Sequence, residues 1–177
     1  EAYQAGERHF GESRVQELKQ KVTQLPNDIQ WHFIGHLQTN KVRDILKLKP
    51  YIIESVDSKR LLHAINTEAE KLGIIQNILL EVHVAQEETK SGFTPNELTT
   101  LLSTDICASL PNIRICGLMA MATNTEDETE IRRCFSNAAT LASNIQHLTS
   151  NIQHPTSHII LSMGMSDDYK IAIEYGS

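Results

Sequence analysis

The chain has 177 residues, of which 40% are hydrophobic and 21% charged. This composition supports one globular core and excludes a disordered or fibrous chain. Sixteen Lys and Arg against 22 Asp and Glu give a formal net charge of −6, which is the wrong sign for binding nucleic acid or an anionic membrane. We therefore predict a single domain over residues 1–177 whose partner is a small molecule or a protein.

Membrane insertion, export and disulfide formation are not indicated by the sequence. No segment approaches the roughly 18 consecutive apolar residues of a membrane-spanning helix, and the first ten residues lack the pattern of a signal peptide. Cys107, Cys116 and Cys134 are an odd number of cysteines without close spacing, so neither a disulfide framework nor a zinc site is predicted. These features favour a cytoplasmic protein.

Strand-like runs alternate with helical patterns along the chain, which is typical of parallel βα units. The predicted strands are residues 9–12, 31–35, 51–56, 77–84, 113–121 and 158–161. Polar residues that favour the start of a helix follow most of these strands. They are Ser13 with Gln16, Asp57 or Ser58, Thr94 with Glu97, Thr125 with Glu128, and Ser166.

Six βα units fit either a doubly wound open sheet or most of an eight-stranded barrel. A complete barrel usually needs about 250 residues, and this chain is shorter. The glycine-rich turns that hold nucleotides in open sheets, GxGxxG and GxxxxGK[ST], do not occur in the sequence. The pattern alone therefore leaves both architectures open.

In both architectures ligands bind at the carboxyl ends of the strands, so the strand-to-helix junctions are the candidate sites. Residues 162–166 read Ser-Met-Gly-Met-Ser and lie between a strand and a helix, where free N–H groups can hold a phosphate. Local features alone favour a simpler interpretation, in which Ser166 is a helix cap and Gly164 a turn. Asp167 and Asp168 favour the helix dipole but would repel a nearby phosphate.

Other reactive residue types give weaker signals. The eight histidines contain no HExxH motif or short His/Cys cluster, so we predict no metal site. His32 within an apolar strand is typical of a hydrogen-bonded core residue. Lys90 lies in a polar loop and could reach a ligand, whereas Arg132 and Arg133 fit a solvated helix face.

Several short motifs together resemble the pyridoxal phosphate homeostasis protein family, in order and over essentially all 177 residues. The motifs are residues 10–12, 15–17, 31–35, 37–38, 40–41, 90–92, 117–119 and 161–168. The resemblance implies an α/β fold, a (β/α)8 TIM-type barrel like the N-terminal domain of alanine racemase, which is fold type III among pyridoxal phosphate proteins. About six of the eight βα units would be present in this chain.

The resemblance also implies that parts of the family's site lie outside this chain. The lysine that forms the Schiff base in the family is expected upstream of residue 1, and the family's last strand is expected after residue 177. None of the nine lysines in the sequence matches the Schiff-base position. We therefore expect no catalytic residue within the chain.

Six positions of this sequence match cofactor contacts of the family or stand near them. They are Ser162, Gly164 and Ser166 in the phosphate cup, Ser13 near the cofactor ring, and His32 and Ser55 as lining of the pocket. Ser13 replaces an asparagine that is usual in the family, and serine is shorter and lacks the amide.

By resemblance, the protein is expected to bind pyridoxal 5′-phosphate and to act in its homeostasis. It would be a monomeric carrier or regulator of vitamin B6 and of amino- and keto-acid balance, without catalysis, and pyridoxal phosphate-dependent apoenzymes are possible partners. The alternatives are a racemase-like enzyme of the same fold and a cofactor-free interaction domain.

Overall fold

Six parallel strands form one sheet in which each strand pairs with the next strand along the chain. The computed structural model describes residues 1–85, 91–104, 106–146 and 159–177. Lys90 and the side chain of Cys107, both considered in the sequence, lie outside the described residues.

The strands and helices alternate as the sequence predicts. The strands are β1 (His9–Glu12), β2 (Gln30–Phe33), β3 (Ile52–Val56), β4 (Gln76–Val82), β5 (Ile113–Ala120) and β6 (Ile160–Met163). The helices are α1 (Val15–Gln24), α2 (Val42–Lys47), α3 (Lys59–Leu72), α4 (Pro95–Ser103), α5 (Ile106–Ser109), α6 (Glu128–Gln146) and α7 (Tyr169–Glu174), and a short 3-10 helix, Thr39–Lys41, precedes α2.

The strand order decides between the two architectures that the sequence left open. A doubly wound sheet reverses its order at a switch point, whereas here the order runs from β1 to β6 without a reversal. In a flat sheet β3 and β6 would lie about 14 Å apart. The hydroxyl of Ser162 on β6 nevertheless donates to Glu54 on β3 at 2.6 Å, so the sheet is curled as part of a barrel.

The two faces of the curled sheet bury different side chains. One face packs against the helices in a large apolar core that includes Phe33, Ile65 and Phe135. The concave face carries a small apolar cluster of strand residues only, formed by Ile52, Leu79, Cys116, Met119 and Ile160. Side chains alternate between faces along a strand, so polar residues two positions from these also face the concave side.

Two of the predicted helix caps are confirmed. Ser58 accepts a hydrogen bond from the N–H of Leu61 at the start of α3, and Gly73 ends that helix at φ 64°. Thr94 and Glu97 form a reciprocal capping box at the start of α4.

Three other predicted caps are wrong. Arg14, rather than Ser13, precedes α1 and makes no side-chain cap, and the buried Glu12 carboxylate accepts the N–H groups of Ser13 and Arg14. Asp127 rather than Thr125 accepts the N–H of Thr129 at α6, and Asp168 rather than Ser166 precedes α7. In none of the three is the predicted serine or threonine the residue directly before the helix.

None of the helices in the described ranges is long and apolar enough to cross a membrane.

Candidate functional site

The loop after β6, residues 164–168, depends on Gly164, because a side chain at this position would clash with α7. Gly164 has φ +95°, and a Cβ there would lie 2.9 Å from both the Cα of Tyr169 and the Cβ of Ala172. The hydroxyl of Ser177 donates to the carbonyl of Met163 and accepts its N–H. Helix α7 is therefore held close against the loop.

Backbone donors are available on this loop. The N–H of Met165 donates to Asp168 Oδ1 at 2.5 Å. Within the described residues, the N–H groups of Ser166 and Asp167 and the exposed hydroxyl of Ser166 make no hydrogen bond. Three donors next to a glycine turn fit an oxyanion such as a phosphate, while Asp167 and Asp168 set a limit on how much negative charge the loop can accept.

A chain of four polar side chains crosses the concave face. His9 Nδ1 lies 2.9 Å from His32 Nε2, and His32 Nδ1 lies 2.5 Å from Glu54 Oε1. Glu54 Oε2 accepts the hydroxyl proton of Ser162 at 2.6 Å. We call these four residues, His9, His32, Glu54 and Ser162, the interior chain. It joins two predicted cofactor positions, His32 and Ser162, through a glutamate that is only 5% exposed.

The other two predicted positions outside the β6 loop meet at the ends of β1 and β3. The hydroxyl of Ser55, which is buried, donates to the carbonyl of Gly35 at 2.5 Å. A Cβ on Gly35 would lie 1.9 Å from the carbonyl oxygen of Ser13. Ser13 and Ser55 thus both lie against Gly35, with the hydroxyl of Ser55 engaged and the side chain of Ser13 exposed.

Glu81 on β4 is a second buried carboxylate of the concave face. It accepts a hydrogen bond from the hydroxyl of Ser91 at 2.7 Å. Residues 91–93 are held beside β4 by backbone hydrogen bonds of Phe93 with Glu81 and His83. Burial raises the pKa of Glu81, and the charge of Asp57 raises it further, outweighing the hydrogen bond from Ser91. Nearby, Nε2 of His83 is buried without a hydrogen-bond partner among the described residues.

An open cleft of about 700 Å³ lies beyond the ends of β2 and β3. It is lined by polar side chains, including Asn40, Ser58 and Arg60, and by the pair His36 and Asp57, whose Nδ1 and Oδ2 are 3.4 Å apart. The cleft adjoins the carboxyl ends of these strands, which we call the mouth of the sheet.

Sequence reasoning missed Glu54, His9 and Glu81. A usable signal existed for two of them, since Glu54 and Glu81 are single charged residues within apolar strand runs, and such residues are rarely buried without a specific partner. The role of His9 depends on its register with β2 and carried no local signal.

The two cysteines whose side chains are described fit a structural role in the core, and the side chains that commonly bind metals do not cluster in the described residues. Cys116 and Cys134 are free and buried, and burial raises the pKa of the Cys116 thiol. Within the described ranges, no group of three or more His, Cys, Asp or Glu side chains could hold a metal ion.

Comparison with known proteins identifies the family. Residues 1–174 match the family described as alanine racemase, N-terminal domain. The pyridoxal phosphate homeostasis protein of Helicobacter pylori is 38% identical over 176 residues, which is 99% of this chain and 74% of that protein. The chain belongs to the pyridoxal phosphate homeostasis protein family. The homeostasis protein of Aquifex aeolicus, 39% identical over 178 residues, covers 100% of this chain and 75% of its own length.

Solved structures agree with this family assignment. PipY of Synechococcus elongatus, solved without pyridoxal phosphate, matches with a TM-score of 0.89 and 34% identity over 99% of this chain and 80% of that one. The structure of PipY with pyridoxal phosphate bound matches with a TM-score of 0.83 and 33% identity. An alanine racemase of Clostridium difficile, at 18% identity and a TM-score of 0.70, shares the fold. The partial barrel of six βα units that the resemblance predicts is therefore confirmed for this chain.

Proposed function

We propose that this protein binds pyridoxal 5′-phosphate reversibly and takes part in its homeostasis without catalysing a reaction. The observation that carries the proposal is the likeness to PipY, a relative with 33% identity whose structure holds pyridoxal phosphate. The β6 loop supports it, because its free donors suit the phosphate group. When bound, pyridoxal phosphate supplies an electrophilic aldehyde and an anionic phosphate.

The phosphate end of the cofactor would be held by residues 164–168. The backbone N–H groups of Ser166 and Asp167 and the hydroxyl of Ser166 are the donors, and Gly164 keeps α7 close enough for them to converge. Ser162 lies two residues before Gly164, and its hydroxyl donates a hydrogen bond to the Glu54 carboxylate. Charge-assisted hydrogen bonds of this kind are among the stronger ones in proteins.

The ring end would lie towards the mouth formed by β1, β2 and β3. Ser13 is exposed there and can approach the ring directly or through a water. His32 would line the interior, and Ser55 would line the mouth while it holds Gly35 in place. Residues 1–177 would in this way supply six strands of a single cofactor-binding barrel.

The test is a titration of the protein with pyridoxal phosphate, followed by absorbance and by the ³¹P signal of the phosphate. Ser166→Ala removes one donor to an anion, so we expect affinity to fall by about tenfold. Ser143→Ala, an exposed serine on α6, is the matched control. Saturable binding that is unchanged in Ser166→Ala would place the phosphate elsewhere, and no saturable binding by the wild type would overturn the function itself.

We further propose that the protein is a cytoplasmic monomer that exchanges pyridoxal phosphate with dependent apoenzymes and contacts neither nucleic acid nor membrane. The net charge of −6 supports the last point, and two buried free cysteines suit a reducing compartment. Light scattering at several protein concentrations tests the monomer. Transfer to an apoenzyme, measured by the recovery of that enzyme's activity, tests the exchange.

A further inference from the structure

The hydroxyl of Ser162 has one proton, and a buried carboxylate holds it. Ser162 Oγ donates to Glu54 Oε2 at 2.6 Å, and a serine hydroxyl has no second proton to offer. The residue lies at the carboxyl end of β6, two positions before Gly164. The last hydroxyl before the phosphate loop on this strand is therefore a donor already in use.

Glu54 is fixed in this arrangement by its other contacts. It is 5% exposed, and its second oxygen lies 2.5 Å from His32 Nδ1. His32 is held in turn by His9 and packs against the ring of Tyr51, with centroids 5.5 Å apart. A carboxylate held from both sides keeps its place when a ligand arrives.

We propose that Glu54 is a positioning residue that limits the affinity of the site for phosphate-bearing ligands. The inference rests on the proposed function of the β6 loop. Glu54 acts through Ser162 in two ways: it withholds the hydroxyl proton from an incoming anion, and it places a negative charge one hydrogen bond away from Ser162. Both effects weaken the binding of a phosphate group. Neither effect acts on a ligand without a phosphate.

A binding protein that must release its cargo gains from such a restraint. Affinity depends on the difference between bound and free states, so a site in which one donor is already engaged binds an anion less tightly than a site in which that donor is free. The loop after β6 attracts the phosphate, and Glu54 limits the affinity with which the phosphate is bound.

The experiment compares three probes on the wild type and on Glu54→Gln: pyridoxal 5′-phosphate, inorganic phosphate, and pyridoxal, which has no phosphate. Glutamine keeps the shape of Glu54 and removes its charge. We expect both phosphate-bearing probes to bind about tenfold more tightly to Glu54→Gln, with less than a twofold change for pyridoxal. Glu70→Gln, an exposed carboxylate on α3, is the matched control and should change none of the three.

A second variant separates the proton from the charge. In the wild type, Ser162→Ala should lower phosphate affinity less than it does in Glu54→Gln, because the hydroxyl is already donated to Glu54. In the Glu54→Gln background the same substitution should remove several-fold of the gain. Unfolding midpoints and the NMR signals of the His32 ring verify that each variant keeps the native arrangement.

The outcomes distinguish this inference from the proposed function. If Glu54→Gln binds inorganic phosphate no more tightly than the wild type, or if all three probes change by one factor, Glu54 does not restrain the phosphate end. A wild type that binds inorganic phosphate but not pyridoxal phosphate overturns the proposed function and leaves the inorganic phosphate comparison to decide the role of Glu54. Absence of binding by every protein to every phosphate probe overturns both.

Discussion

Two buried carboxylates on opposite faces of the same sheet have pKa values that are shifted in opposite directions. Glu12, at the end of β1, is 6% exposed and faces α1, and Glu81, on β4, is 4% exposed and faces the concave side. Burial acts to raise the pKa of Glu12, but hydrogen bonds from the ammonium of Lys21 and from the N–H groups of Arg14 and Ser13 outweigh it and lower the pKa. Glu81 has a hydroxyl as its hydrogen-bond donor, and its pKa is raised.

The difference shows how one set of strands serves two purposes. On the helix-covered face a buried charge is satisfied completely, and the rest is close-packed apolar side chains. On the concave face Glu81 is satisfied only in part, by the hydroxyl of Ser91, whereas each oxygen of Glu54 has a partner, His32 or Ser162. A partly satisfied group such as Glu81 costs stability, and it is also one that a ligand can still influence.

The largest expected effect is on the helix-covered face. Phe135 on α6 is fully buried in the main core, so Phe135→Ala removes apolar contacts and leaves a cavity. We expect the free energy of unfolding to fall by about 3–5 kcal/mol, measured by urea denaturation. Ile173→Ala, at a side chain that is 61% exposed, should change it by less than about 0.5 kcal/mol. Similar losses for the two variants would contradict the assignment of the core to this face.

The next largest loss of stability is expected at Gly35, near the carboxyl ends of the strands. Gly35→Ala would place a methyl group 1.9 Å from the backbone oxygen of Ser13, and backbone cannot move aside as a side chain can. We expect a loss of about 1–3 kcal/mol by the same measurement. Gly11→Ala is the control, because its new Cβ would meet the flexible end of Ile34 at 3.0 Å, and it should cost clearly less.

The fold was predictable because its signals are local. Alternating strand and helix patterns predicted all six strands within a few residues, and Thr94 with Glu97 predicted the start of α4 because both partners lie within four residues. The predictions for Ser13 and Ser166 were wrong because α1 and α7 begin later than the local pattern indicates, after Arg14 and Asp168. Local propensity does not fix the first residue of a helix.

The candidate site was predictable only in part because its contacts cross the sheet. Ser162 and Glu54 are 108 residues apart in sequence, and nothing near either residue indicates the other. The family resemblance pointed to Ser162 and His32 as separate positions. The curvature of the sheet joins them through a glutamate that the resemblance did not include.

A smaller effect, visible through its pH dependence, tests the concave carboxylate. The folded-state pKa of Glu81 is raised, so the native state binds more protons than the unfolded state, and stability falls as the pH rises through the window above the ordinary pKa of glutamate. Glu81→Gln keeps an acceptor for Ser91 and removes the charge. We expect the variant to gain stability relative to the wild type between pH 4 and pH 7, measured by urea unfolding across that range. A constant difference at all pH values would show that Glu81 is not perturbed by burial.

The smallest effect is expected at the satisfied carboxylate, and its sign is opposite. The folded-state pKa of Glu12 is lowered, so its contribution is present at neutral pH and is lost as the pH falls through that folded-state value. Lys21→Met removes the ammonium, and the variant should therefore be less stable than the wild type near pH 7 and approach it in acid. The effect is modest because the Lys21 side chain is 43% exposed, so water and salt screen the pair. Lys19→Met, an exposed lysine on the same helix, should show no such convergence, and if it does, the net charge of the helix rather than the contact with Glu12 accounts for the pH dependence.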